Sequence, residues 1–229
     1  MITLKNICKY RPRGDGSAEG LHSVDLCVER GEFVTIAGPS GSGKSTLLAI
    51  LGLIEKPSSG SYTLGGREVA GLGDRELSRL RGRHFGFLFG GSHLIPELDA
   101  VENVMLPMAY ACMPKALRRT RAIELLERLG LGLPFERLPV ALTTLERQRV
   151  AIARSLANDP AFLLADEPTA RLRSEEACAI VQVLSALHRE GLAIVLATHD
   201  ETLGALGERR LRILDGLLEK ALPDISRSA

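Results

Sequence analysis

The stretch Phe33-Val34-Thr35-Ile36-Ala37-Gly38-Pro39-Ser40-Gly41-Ser42-Gly43-Lys44-Ser45-Thr46 decides the fold. Its first five residues form an apolar run of the kind that fills a buried strand. A glycine- and serine-rich loop follows, and then a helical pattern carrying Leu47, Leu48, Ile50 and Leu51. Strand, glycine loop and helix in that order open an α/β fold with a parallel sheet. Gly38 to Ser45 satisfies G-x-x-x-x-G-K-[ST] in full, in the strand-to-helix context the motif requires. Glycines let successive backbone N–H groups turn toward one anion, and the helix N-terminus adds partial positive charge. The nucleotide-binding candidates are therefore Gly38, Pro39, Ser40, Gly41, Ser42, Gly43, Lys44, Ser45 and Thr46. Lys44 is expected to reach the β- and γ-phosphates, and Ser45 to offer its hydroxyl to Mg²⁺.

Two further strand ends carry matching chemistry. Phe162-Leu163-Leu164-Ala165 runs into Asp166 and Glu167. Strand alternation would send the two carboxylates in different directions, so that Asp166 serves Mg²⁺ and Glu167 acts as general base. Thr198-His199-Asp200 closes the next strand, placing His199 as a candidate contact for the γ-phosphate and the attacking water.

Working outward, two alternating segments, 2–9 and 21–29, read as antiparallel strands around the turn-rich RPRGDGSAEG. Tyr62 to Leu64 with Gly65-Gly66 reads as a hairpin, and Asp74 to Arg81 as a short helix. From about 99 to 157 the periodicity is helical throughout, which marks a helical subdomain of about 95–158. Its Arg118-Arg119-Arg121 cluster reads as a solvated face. The sheet resumes at 161–165, with a helix at 174–189, a strand at 192–197 and a closing strand near 211–214. Asp215-Gly216 is a hairpin signal, and a loose tail of about 216–229 ends a single domain.

Composition narrows the function classes. Formal net charge is +1, so no broad field favours nucleic acid. The four cysteines show no metal-ligand spacing. The segment MITLKNICKY has no signal-peptide pattern, and no apolar run approaches the roughly 18 residues of a membrane span.

Together these residues resemble the nucleotide-binding domain of ABC transporters over nearly the whole chain. GPSGSGKST is similar to the family's Walker A, LLADEPT to its Walker B with the catalytic glutamate, and ATHD to its switch-histidine motif. LIPELDAVENVMLPM and ERQRVAIARSLANDP look like the lipoprotein-releasing and macrolide-exporting subfamily. The resemblance implies ATP and Mg²⁺ as ligands, Tyr10 as the aromatic that stacks on adenine, and a cytoplasmic chain peripheral to the membrane. It further implies membrane-spanning permease subunits and a second nucleotide-binding domain as partners.

Three elements depart from the family pattern. The glutamine after GFxF is Gly90; the signature LSGGQ reads Leu142-Thr143-Thr144-Leu145-Glu146; and Arg173 replaces the aspartate of the loop after Walker B. Thr143 and Glu146 still spell a capping box, whereas Thr144 and Leu145 bring side chains toward the place of a partner's γ-phosphate. Groups serving the chain's own nucleotide survive, apart from the glutamine; groups offered to a partner's are altered. Pairing with a different, complete nucleotide-binding domain, a slow homodimer, and a silent regulatory or scaffold subunit are the readings left open.

Overall fold

The computed structural model describes residues 1–12 and 18–220. Its elements are β1 (Ile2–Pro12), β2 (Ala18–Val28), β3 (Phe33–Ala37), α1 (Lys44–Leu51), β4 (Ser59–Leu64), β5 (Arg67–Glu68), α2 (Asp74–His84), β6 (Phe85–Phe89), α3 (Ala100–Tyr110), α4 (Lys115–Arg128), α5 (Thr144–Leu156), β7 (Phe162–Asp166), α6 (Ser174–Arg189), β8 (Ala193–Thr198), α7 (Glu201–Gly204), β9 (Arg209–Leu214) and β10 (Leu217–Lys220). Strands β10-β9-β3-β8-β7-β6 form one sheet, parallel except for the β9–β10 hairpin. A second, antiparallel sheet runs β2-β1-β4-β5.

Period-two alternation in the central strands divides the interior into two cores. Val34, Ile36, Leu164 and Val195 point to α1 and the antiparallel sheet. Phe33, Leu163, Ala165, Ile194 and Leu196 point to the opposite side, where α3 to α6 pack. Both faces are covered, which is why these strands read as continuous apolar runs.

Four expectations need correction. The strand β6 was not expected, because Gly86 interrupts its apolar pattern. Gly86 is there for packing: a Cβ on it would lie 2.4 Å from the Ser155 carbonyl oxygen, so α5 presses directly on the strand. The 99–157 region is not helical throughout, since residues 129–143 are irregular apart from a 3₁₀ turn at Pro139–Ala141. The tail begins later than 216: Leu217–Lys220 pairs with β9 across a turn whose Asp215 (φ 47°) and Gly216 (φ 75°) are both left-handed, as a tight hairpin demands. Residues 221–229 lie outside the described residues, as does the centre of the RPRGDGSAEG loop. The arginine cluster is also not simply solvated. Arg121 donates to the Ala157 carbonyl at 2.7 Å, Arg118 to that of Met113, and Arg119 pairs with Glu136.

Candidate active site

The loop after β3 turns on Gly41 (φ 80°) and Gly43 (φ 107°), and Gly43 caps α1 with its backbone alone. Gly38 is pinned from below, since a Cβ on it would meet the Ile213 carbonyl oxygen at 2.3 Å. Its N–H is held by the Thr198 carbonyl at 3.3 Å, and the Ser42 carbonyl accepts from Gly216 N–H at 3.0 Å. The β9–β10 hairpin therefore serves as a floor for the loop. Above it lies a cleft of about 660 Å³ lined by Gly20, Pro39, Ser40, Gly41, Gly43, Lys44, Ser45, Thr46, Asp166, Glu167 and His199. The candidates from three separate segments thus meet at one place.

Lys44 is buried, and its Nζ donates to the carbonyls of Gly38 (2.7 Å) and Pro39 (2.9 Å) while lying 3.8 Å from Glu167 Oε1. Glu167 does not continue the strand alternation expected of it. It lies one residue past β7 with φ 47°, its N–H bonded to the Ala197 carbonyl at 2.9 Å. That left-handed kink turns its carboxylate into the cleft. Thr198 Oγ1 donates to Glu167 Oε2 at 3.1 Å, and His199 Nδ1 meets Oε1 at 2.7 Å. An ionised carboxylate only accepts, so Nδ1 carries a proton and Nε2 points away from Glu167.

Asp166 has a different setting. Burial pushes its carboxyl above the usual aspartate range, and the Glu167 charge adds to this, while the Ser45 hydroxyl and Lys44 oppose it. Its Oδ1 is buried with no hydrogen-bond partner among the described residues, as is Ser42 Oγ. A desolvated, under-satisfied carboxylate beside a serine hydroxyl fits a hard, oxygen-seeking cation such as Mg²⁺. Tyr10 is not among the residues lining the cleft but neighbours one of them, Gly20, across the β1–β2 ladder. It is 51% exposed on β1, opposite Gly20 in register, with its ring 6.4 Å from that of His22.

The departures from the family pattern are structurally accommodated. Gly90 donates its N–H to the Asp166 carbonyl at 2.9 Å, and a Cβ at this position would lie 2.0 Å from the Glu167 carbonyl oxygen. Thr143 caps α5 and forms the expected box with Glu146, whose carboxylate also pairs with Arg137 at 2.7 Å. The Thr143 N–H bond and Arg137 hold the Glu146 carboxyl below its usual range against the opposing effect of burial. Leu145 is half-buried, with part of its side chain packed against the helical core. Thr144 Oγ1 accepts from Arg147 at 3.3 Å. Arg173 is 87% exposed and lies 3.5 Å from Glu176 of its own helix.

Two supporting residues escaped the sequence reading. Each was legible only as part of a motif, Thr198 in ATHD and Gln148 in ERQRVAIARSLANDP, with no role of its own. Gln148 is 2% exposed and donates to the carbonyls of Phe89 (3.2 Å) and Pro168 (2.8 Å). The signal was a polar residue four before Ile152, on the buried stripe of α5.

Comparison with known proteins agrees with this geometry. The ABC transporter family profile matches residues 21–170. The chain is 45% identical over 216 residues to a macrolide export ATP-binding/permease protein MacB of Paracoccus denitrificans, covering 94% of this chain and 32% of that protein. It is 44% identical over 219 residues to an uncharacterized ABC transporter ATP-binding protein of Thermotoga maritima, covering 96% of this chain and 94% of the relative. Among solved structures, the ATP-binding cassette MJ0796, a dimer in a post-hydrolysis state with ADP and Pi, superposes with a TM-score of 0.87 at 39% identity, over 98% of this chain and 100% of that one. The chain spans only about a third of the length of the MacB relatives. No helix among the described residues is long and apolar enough to cross a membrane. On the P-loop cleft, the profile match and these relatives, the chain belongs to the ABC transporter family.

Proposed function

We propose that the chain binds and hydrolyses Mg-ATP at the P-loop cleft and delivers the resulting motion to separate membrane-spanning permease subunits from the cytoplasmic face. The observation that carries the reading is the convergence of Lys44, Thr198 and His199 on the Glu167 carboxylate at the cleft. With ATP bound, Lys44 exchanges its carbonyl contacts for phosphate oxygens. Glu167 takes the proton of the attacking water as the water oxygen bonds the γ-phosphorus and the bond to the β–γ bridging oxygen breaks, releasing ADP and phosphate. His199 orients Glu167 through Nδ1 and presents Nε2 to the phosphate. Mg²⁺, held by Ser45 and by Asp166 through its water shell, would neutralise phosphate charge. Tyr10 stacks on the adenine at the rim.

A second nucleotide-binding domain completes the unit, as the dimeric MJ0796 relative illustrates for itself. The glycine pair of the signature is missing, but the first turn of α5 keeps its cap and its positive helix end. Pairing with a different, complete domain agrees best with a chain whose own-nucleotide groups survive, apart from the glutamine replaced by Gly90, while those offered to a partner are altered. Light scattering of Glu167→Gln with Mg-ATP tests this: a monomer that dimerises only with a second domain supports it, and an ATP-dependent homodimer overturns it. A silent regulatory subunit is the alternative, favoured by Gly90 and by Thr144-Leu145 in the signature, and it requires nucleotide binding without phosphate release even with the permease present.

A further inference from the structure

The search for a group that acts on the site without entering it leads to Gln148. Helix α5 already packs through Val150, Ala151, Ile152, Ala153 and Leu156, all at most 7% exposed. A buried amide adds nothing to such packing and must be satisfied to be tolerated. Its Nε2 carries two hydrogens, and both are used on carbonyls from separate segments, Phe89 at the end of β6 and Pro168 immediately after Glu167. Between these points the two segments touch directly: Gly90 N–H bonds the Asp166 carbonyl at 2.9 Å. Glu167 is therefore held on its cleft side by Lys44, Thr198 and His199, and from behind through Pro168 by α5. The rear support matters because Glu167 occupies a left-handed conformation that a non-glycine residue keeps only when its surroundings impose it.

We propose that Gln148 is a positioning residue for Glu167, fixing the backbone of the general base to α5 by its two carbonyl contacts. The proposal rests on the ATP-hydrolysis reading for its consequence, but not for its structural content. Two near-isosteric variants separate it from simple packing. Gln148→Met keeps volume and loses both donors. Gln148→Glu places a carboxylate against two carbonyls, and regains one donor when protonated; burial raises the pH at which that happens.

The test combines hydrogen exchange of the full chain with phosphate release and ATP binding across pH. Exchange over 166–172 is expected to quicken about tenfold in both variants at neutral pH, consistent with the loss of buried hydrogen bonds. The P-loop segment 38–46 and ATP affinity should stay near wild type, with kcat down about 10- to 100-fold. In Gln148→Glu alone, both defects should recede as pH falls. Unchanged exchange over 166–172, equal loosening of 38–46, or identical pH behaviour in the two variants would overturn the proposal. A wild type that releases no phosphate would overturn the hydrolysis reading instead, and the exchange comparison would still decide the role of Gln148.

Discussion

Restoring the missing glutamine by Gly90→Gln is expected to damage this protein instead of repairing it. A Cβ on residue 90 would sit 2.0 Å from the Glu167 carbonyl oxygen, 3.1 Å from its carbonyl carbon and 3.2 Å from the Ala170 Cβ. Ordinary contact begins near 3.4 Å, so that oxygen must retreat by about 1.4 Å, or the residue 90 backbone must move by a similar amount. The Gly90 N–H bond to the Asp166 carbonyl opposes either shift. Displacing a reacting group by about 1 Å can lower a rate about 10²-fold. Both Gly90→Gln and Gly90→Ala carry the offending Cβ, so kcat should fall by about that factor in each. ATP affinity should hold within about twofold, because the phosphate loop belongs to β3 and α1. Phosphate release and equilibrium nucleotide binding give the two quantities. A Gly90→Gln enzyme at or above the wild-type rate would refute the reasoning.

Other substitutions probe the remaining parts. Lys44→Ala removes the cleft's buried ammonium and should weaken ATP binding about 10- to 150-fold, the loss of one charge-assisted contact, as read by calorimetry. Asp166→Asn should melt higher than wild type at neutral pH without metal. The carboxyl is held above its usual range, so its contribution favours the fold below the unfolded value near 3.8 and is lost as pH rises through the folded one. The difference in Tm should close below that pH, and Mg²⁺ with ATP should stabilise wild type more than the variant. Thr143→Ala should cost about 1 kcal/mol, or about 2–4 °C in Tm, by removing the α5 cap. Glu146→Ala should flatten the acid limb of the stability profile. The folded Glu146 carboxyl lies below its usual value near 4.5, so its contribution is present above that value and lost as pH falls through the folded one.

Much of this was legible in the chain because local chemistry and long-range architecture coincide there. The P-loop motif names its own strand and helix, and the strands buried on both faces announce themselves as apolar runs. Thr143 and Glu146 formed the cap their spacing implied. What escaped depends on contacts between distant segments. Gly86 reads as a break in a strand until α5 is seen pressing on it. Glu167 leaves the strand alternation because its backbone turns left-handed, which no pattern of neighbours encodes. Leu145 meets the helical core only once that core is assembled, and Gln148 acquires its role only when β6 and the residue after Glu167 come within reach.

The most direct test of ATP hydrolysis at this cleft is steady-state phosphate release from the purified chain with Mg-ATP, measured beside Glu167→Gln. A wild-type rate that the substitution reduces to background is expected. Equal rates in the two proteins would contradict the role given to Glu167 and with it the hydrolytic reading of the site.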